Sequence, residues 1–333
     1  MANPARKALK FGYLFSPQDV ADPFDPAQLA AQAKLAEAGG FDFIRFHERA
    51  VTGADTGART EPFTTASYLA TLTKKIGLIA SASTSYYEPF NLARLVASLD
   101  HVTHGRAGWQ IETGASRNAD INFSREAQTP QAHYDRATEV VTILRQLWDS
   151  WEDGAFIRNK ATGAYVDGAK IHAIHHKGEL FSIKGPLNVA RSPQGHAVVA
   201  HAIPLADRDL AIDLAVREAD LIFLPALPPV ELRALSDDLR RELGARGRTA
   251  LIFADYTPDS PNARAVADRI EALSETGHLD GVNLYFAAPD ALARYVAEVV
   301  PELRSRGLQG DGLTGDTLRD HLGLNEPANR YAA

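Results

Sequence analysis

From residue 10 to residue 307 the chain alternates short apolar runs with amphipathic stretches of helical length, and this alternation restricts the folds open to it. KFGYLF (10–15), FDFIRF (41–46), IGLIASAS (76–83) and AGWQIET (107–113) read as strands. Between and after them DPAQLAAQAKLAEAG (25–39), EPFTTASYLATLT (61–73), NLARLVASLDHVT (91–103) and HYDRATEVVTILRQLWDSW (133–151) read as helices, with Asp25 as an N-cap and Gly39 and Gly40 as a stop. Residues 152–195 break the rhythm with a polar segment holding two short β-like pieces, which reads as an insertion. The alternation then resumes with strands at 196–202, 221–226, 249–256 and 281–286, and helices at 205–219, 228–244, 262–277 and 288–307. Eight strands each followed by a helix imply parallel βαβ units. Eight such units close into an α/β fold of the (β/α)8 TIM-like barrel type, one domain over residues 1–333 with an insertion at 152–195 after the fourth helix. An open doubly wound sheet is the competitor, but no G-x-G-x-x-G follows the first strand.

Composition narrows the chemistry. The chain has no cysteine, which removes disulfides, thiolate metal sites and a thiol nucleophile. A formal net charge of −7 argues against nucleic acid or an anionic membrane as partner. No apolar run approaches the ~18 residues that span a bilayer. The opening MANPARKALKFGYLF lacks the apolar core of a secretory signal, so a cytoplasmic protein is expected.

In such barrels the chemistry sits where strands end and helices begin. The break His104-Gly105-Arg106-Ala107-Gly108 joins a helix to a strand and therefore lies on the opposite, structural face. There Gly105 is expected to take the left-handed cap conformation, and Asp100 is expected to pair with Arg106. The candidate loops on the chemical face are FHERA (46–50), STSYYEP (83–89), ETGASRNAD (112–120), HAIPLADRD (201–209) and FAAPD (286–290).

EPFTTASYLATLTKKIGLIASASTSYYEPFNLARLVASLDHVTHGRAGW (61–109), HYDRATEVVTILRQLWDSWEDGAFIRNKATG (133–163), FSIKGPLNVARSPQG (181–195) and TLRDHLGLNEPANRYA (317–332) carry a resemblance. Together they resemble the bacterial-luciferase-like flavin-dependent monooxygenases, in the branch of the nitrilotriacetate and dibenzothiophene-sulfone enzymes. The resemblance implies a TIM-like barrel, often oligomeric, either as a homo-oligomer or with a homologue. It further implies reduced FMN delivered by a separate NAD(P)H:flavin reductase, and O2 used to oxygenate a small substrate through a flavin peroxide. By the same resemblance Tyr134 lies near the flavin phosphate, Ser83 and Thr84 lie beside the isoalloxazine ring, and Thr113 ends the fourth strand at the cofactor. The small-residue loop that holds the phosphate in the branch is replaced here by HAIPLADR (201–208), where Arg208 would substitute at a helix N-terminus. That replacement keeps a second class open: a flavin-degenerate member, serving as a non-catalytic partner subunit or using its lumen without flavin.

Side chains on a barrel strand alternate between lumen and helix layer. On the second strand Ile44 and Phe46 take the helix side, so Arg45 and His47 point inward. On the fourth, Trp109 and Ile111 go outward and leave Gln110 and Glu112 inside; the same count adds His201, Asn283 and Tyr285. A buried arginine needs a partner, and Glu112 is the expected one. Two readings stay open: a structural Arg45–Glu112 bridge, or a catalytic or binding cluster of Arg45, His47, Glu112 and His201 with a histidine as acid or base. His172, His175 and His176 have no carboxylate at ligand spacing, and no metal site is assigned to them.

Overall fold

The computed structural model describes residues 8–51, 58–114, 117–286 and 288–332, so Ala115, Ser116 and Ala287 of the candidate loops lie outside the described residues. Among the described residues eight parallel strands close in chain order: β1 (Lys10–Phe15), β2 (Phe43–Phe46), β3 (Gly77–Ser83), β4 (Ala107–Glu112), β5 (Val198–Ala202), β6 (Leu221–Leu224), β7 (Leu251–Tyr256) and β8 (Gly281–Tyr285). β8 pairs back onto β1 with Lys10 opposite Gly281 and Leu14 opposite Tyr285. The barrel expected from the alternation is the one that forms. Its helices are α1 (Pro26–Ala38), α2 (Pro62–Ala70), α3 (Pro89–Thr103), α4 (Pro130–Trp148), α5 (Arg208–Glu218), α6 (Pro229–Ala245) and α7 (Ala263–Gly277). The last, α8, runs through Ala291–Arg294, a π turn at Tyr295–Val299 and Val300–Ser305.

Proline sets where the helices begin. α1, α2, α3, α4 and α6 all carry it in the first turn, where its missing N–H costs nothing. Asp25 accepts from the Ala27 N–H at 2.8 Å and Thr129 from the Ala132 N–H at 3.2 Å, completing the caps of α1 and α4. Two helices therefore start at Pro89 and Pro130, ahead of the expected 91 and 133.

The barrel has two apolar layers. Ile44, Trp109, Val199, Ile252 and Leu284 face the helices. Phe43, Ile79, Val198, Ala200, Leu221, Phe223 and Phe253 fill the lower lumen, with Phe43 and Phe253 rings 5.3 Å apart. Leu318 and Leu322, on a short helix Leu318–Leu322, join this inner cluster and close it from below.

Glycine lets the first and last strands meet around that cluster. A Cβ on Gly281 would lie 2.3 Å from the Lys10 carbonyl oxygen and 2.4 Å from the Phe253 ring. Backbone cannot yield there without parting β1 from β8. Gly281→Ala is expected to lose about 3 kcal/mol, the upper range for overpacking. A urea melt checks this: a midpoint equal to that of the wild type would show that the seam adjusts.

On the structural face His104 itself adopts the left-handed cap (φ 57°, ψ 46°), and Gly105 follows at φ 87°. The expected Asp100–Arg106 pair is not made. Arg106 instead donates to carbonyls past the end of α2, including Ile76 O at 2.7 Å, and to Thr103 O at 2.8 Å. Those orphaned helix-end carbonyls attract a guanidinium. Asp100 turns the other way and accepts from the Ala107 N–H (3.0 Å) and the Gln194 amide (2.6 Å).

Residues 152–195 carry a small hairpin, His176–Lys177 with Ser182–Ile183. Its histidines have separate partners: His172 meets Glu152 at 2.6 Å and His176 meets Glu139 at 3.0 Å. The segment is anchored at Asp149, the cap of α4, whose carboxylate accepts from Arg191, from His196 at 2.7 Å and from Arg330 at 3.2 Å.

Candidate active site

At the C-terminal ends of the strands lies a cavity of about 1260 Å³. Its walls come from the ends of β1, β2, β4, β5, β7 and β8 and from the first turn of α4. It is where the barrel rule puts chemistry, and it exceeds the ~300–1,000 Å³ of ordinary ligand pockets.

Its floor is ionic. Arg45, buried on β2, lies over the Phe223 ring at 3.8 Å, donates from Nε to Gln110 Oε1 at 2.7 Å, and faces Asp255 Oδ1 from Nη1 at 3.4 Å. Asn283 donates to the same Asp255 oxygen at 2.6 Å. Gln110 passes the chain on, donating to Glu112 Oε1 at 2.5 Å, and His47 Nδ1 meets that oxygen at 3.2 Å. The expected Arg45–Glu112 bridge is thus replaced by two pairs, Arg45 with Asp255 and His47 with Glu112. Gln110 stands between Arg45 and Glu112 on the same strand face, and Asp255 reaches the guanidinium from β7.

Electrostatics follow this division. Burial pushes the Glu112 carboxyl up, but the charge of His47 and the hydrogen bonds from His47 and Gln110 outweigh it and hold it below the ordinary glutamate range. Asp255 goes the other way: burial raises it beyond what Arg45 and Asn283 offset.

His201 does not point into the lumen. Val198 and Ala200 belong to the inner cluster and Val199 to the outer one, so His201 faces the helix layer on β5. In HAVVAHA both faces are apolar and small, so the strand offers no contrast from which to count. The ring still reaches the cavity from the side, packed edge-on to Tyr134 with centroids 6.2 Å apart. Its Nδ1 meets Ile111 O at 3.1 Å, its Nε2 is buried without a partner, and burial depresses its pKa. Thr113 hydrogen-bonds Tyr134, whose phenol burial pushes up.

The cavity therefore brings together Arg45, His47, Glu112, Thr113, Tyr134 and His201. Ser83 and Thr84 are buried behind its wall, where Ser83 Oγ accepts from the Ser85 N–H and Thr84 Oγ1 donates to Glu112 O. Arg208 is exposed at the start of α5, outside the lining. Several lining groups escaped the sequence reading, among them Asp255 and His133. Asp255 was accessible from alternation in LIFADY, since Phe253 is lumenal. His133, which lines the cavity and is held by Ser85 at 2.8 Å from Nδ1, gave no periodic signal.

Residues 9–297 match the family model described as luciferase-like monooxygenase. The chain belongs to the luciferase-like monooxygenases. It is accordingly an oxidoreductase of the monooxygenase kind. Among curated relatives, the N-acetyl-S-(2-succino)cysteine monooxygenase of Bacillus subtilis is 32% identical over 90% of this chain and 90% of its own length. The nitrilotriacetate monooxygenase component A of Aminobacter aminovorans is 30% identical over 85% of this chain and 83% of its own. Among solved structures, a riboflavin lyase determined with modified FMN and riboflavin superposes with a TM-score of 0.88 at 24% identity, covering 96% of this chain and 97% of that one. This last likeness speaks for the fold. In this luciferase-like monooxygenase no helix among the described residues is long and apolar enough to cross a membrane.

Proposed function

We propose that this luciferase-like monooxygenase is the oxygenating half of a two-component system. It takes reduced FMN from a separate NAD(P)H:flavin reductase and uses O2 to oxygenate a small organic substrate in the cavity. The observation that carries the reading is the cavity itself, large enough for a flavin and a second small molecule, at the chemical end of a barrel of this family. A relative named as component A and a fold neighbour determined with modified FMN support it.

The residues present suit a flat aromatic cofactor with an anionic tail. Tyr134, Thr113 and the partnerless buried Nε2 of His201 form one polar group on the cavity side wall, and they would hold it. Ser83 and Thr84 would support that wall from behind, and Arg208 would add charge at the rim. The flavin, when bound, supplies activation of oxygen. The chain supplies a shaped site and a proton held between His47 Nδ1 and Glu112 Oε1.

Anaerobic titration with photoreduced FMN, with oxidised FMN alongside, tests this. Saturable micromolar binding of the reduced form is expected. Absence of binding by either form at millimolar concentration would overturn the reading in favour of a barrel that works without flavin.

A further inference from the structure

Arg45 has more donors than acceptors. A guanidinium carries five N–H groups, and among the described residues those of Arg45 meet two acceptors, Gln110 Oε1 and Asp255 Oδ1. The contact with Asp255 is 3.4 Å, long against the ~2.7–2.9 Å of a charge-assisted hydrogen bond. Asp255 Oδ1 is meanwhile engaged by Asn283 at 2.6 Å. The side chain is only 4% exposed, yet it lines the cavity. A buried cation with unmet donors is costly unless something completes its shell. The plane of the group is fixed by the Phe223 face at 3.8 Å and its Nε end by Gln110, which leaves the Nη edge to meet whatever enters.

The charge of the cavity does not oppose this. Its lining includes five arginines against four carboxylates, and one of the five, Arg125, is paired with Glu88 outside the lining at 2.7 Å, so the fixed charges balance and any histidine that takes a proton tips the cavity positive. The chain as a whole carries −7. On a protein this acidic, a cavity whose fixed charges balance opposes an incoming anion less than the chain as a whole does.

We infer that Arg45 is a specificity-determining residue that receives a carboxylate at the buried end of the substrate, with Gln110 and Phe223 as its positioning residues and Asp255 as the anion it would compete with. The inference rests on the reading that this cavity takes the substrate. It makes the substrate an organic acid rather than a neutral hydrocarbon or sulfide.

Titration calorimetry without flavin tests it, using butyrate, succinate and benzoate, each beside its amide. At least one acid should bind the wild type tenfold or more tightly than its amide. Arg45→Lys keeps the charge but loses the planar fork, and should weaken that acid tenfold or more while leaving FMN affinity unchanged. Asp255→Asn removes the competing anion and should tighten it at least threefold, a direction that damage to the fold does not produce. Acids that bind no better than their amides overturn the inference, as does an Arg45→Lys variant with undiminished acid affinity. Loss of FMN affinity alone in Arg45→Lys, with riboflavin unaffected, would show the anion to be the flavin phosphate and also overturn it. Because no flavin is present in the acid titration, its failure is separable from failure of the FMN-binding test.

Discussion

Replacing His47 with alanine is expected to lower kcat/KM for substrate oxygenation by about a hundredfold or more, the lower range of what a positioned acid or base contributes. The ring is one-third exposed to the cavity while its Nδ1 is tied to Glu112 at 3.2 Å, so it is both oriented and reachable. Glu112 is in turn held by Gln110, which fixes the carboxylate that fixes the ring. Glu112→Gln should therefore cost less than His47→Ala but alter the shape of the pH profile. In the wild type the Glu112 pKa is depressed in the folded state. The support it gives His47 lasts while the carboxylate is ionised and is lost as pH falls through that depressed folded value. The glutamine variant should lose this acid limb. His201→Ala is the comparison: its ring sits on the helix side of β5, so its effect should fall on flavin affinity and leave the acid limb in place. Turnover with reduced FMN and O2, followed as oxygenated product across pH, decides the matter. A His47→Ala enzyme with wild-type rate and profile would remove His47 from the chemistry.

The largest effect on stability is expected far from the cavity. Asp149→Ala should destabilise the protein by about 3–5 kcal/mol, as when one partner of a buried ion pair is removed. The carboxylate is 3% exposed and serves Arg191, His196 and Arg330 together; its loss leaves Arg191 and His196 charged or polar and buried. Burial pushes Asp149 up, but His196 and Arg191 outweigh it and its pKa lies below the ordinary aspartate value. The sign follows. This contribution is present above the unfolded value of ~3.9 and disappears as pH falls through the depressed folded one. Urea midpoints at pH 7 and at acid pH should show the wild type and the Asp149→Ala variant converging as pH falls, with m unchanged. Parallel loss at both pH values would show that packing, not the ion pairs, holds this corner.

The fold was legible because each βα unit writes its own period into the sequence. GWQIE alternates, and Ile44 and Phe46 flank Arg45 in FIRF, so Arg45, Gln110 and Glu112 are placed in the lumen. HAVVAHA does not alternate in polarity, so counting from it places His201 in the lumen while the ring sits on the helix side. Partners across the barrel were harder still. Arg45 meets Asp255 only because β2 and β7, three strands apart round the closed ring, both send side chains into one lumen, and nothing local in either strand encodes that meeting. The Ser85–His133 contact joins the loop after β3 to the first turn of α4, 48 residues on, for the same reason. Strand direction is local information; which polar group completes which is global.

The base of the barrel has a consequence for how the chain is made. Arg319 donates to the His196 carbonyl and to Asp220 at 2.9 Å each, at the entry of β5 and β6, while Leu318 and Leu322 seal the inner phenylalanines. Leu318, Arg319 and Leu322 all follow β8 in the chain. During synthesis, then, eight strands can emerge and pair while the underside of their greasy centre still lacks its stopper. For that interval the nascent barrel is a cup open at the bottom, and the residues after 317 act as the last-arriving cork.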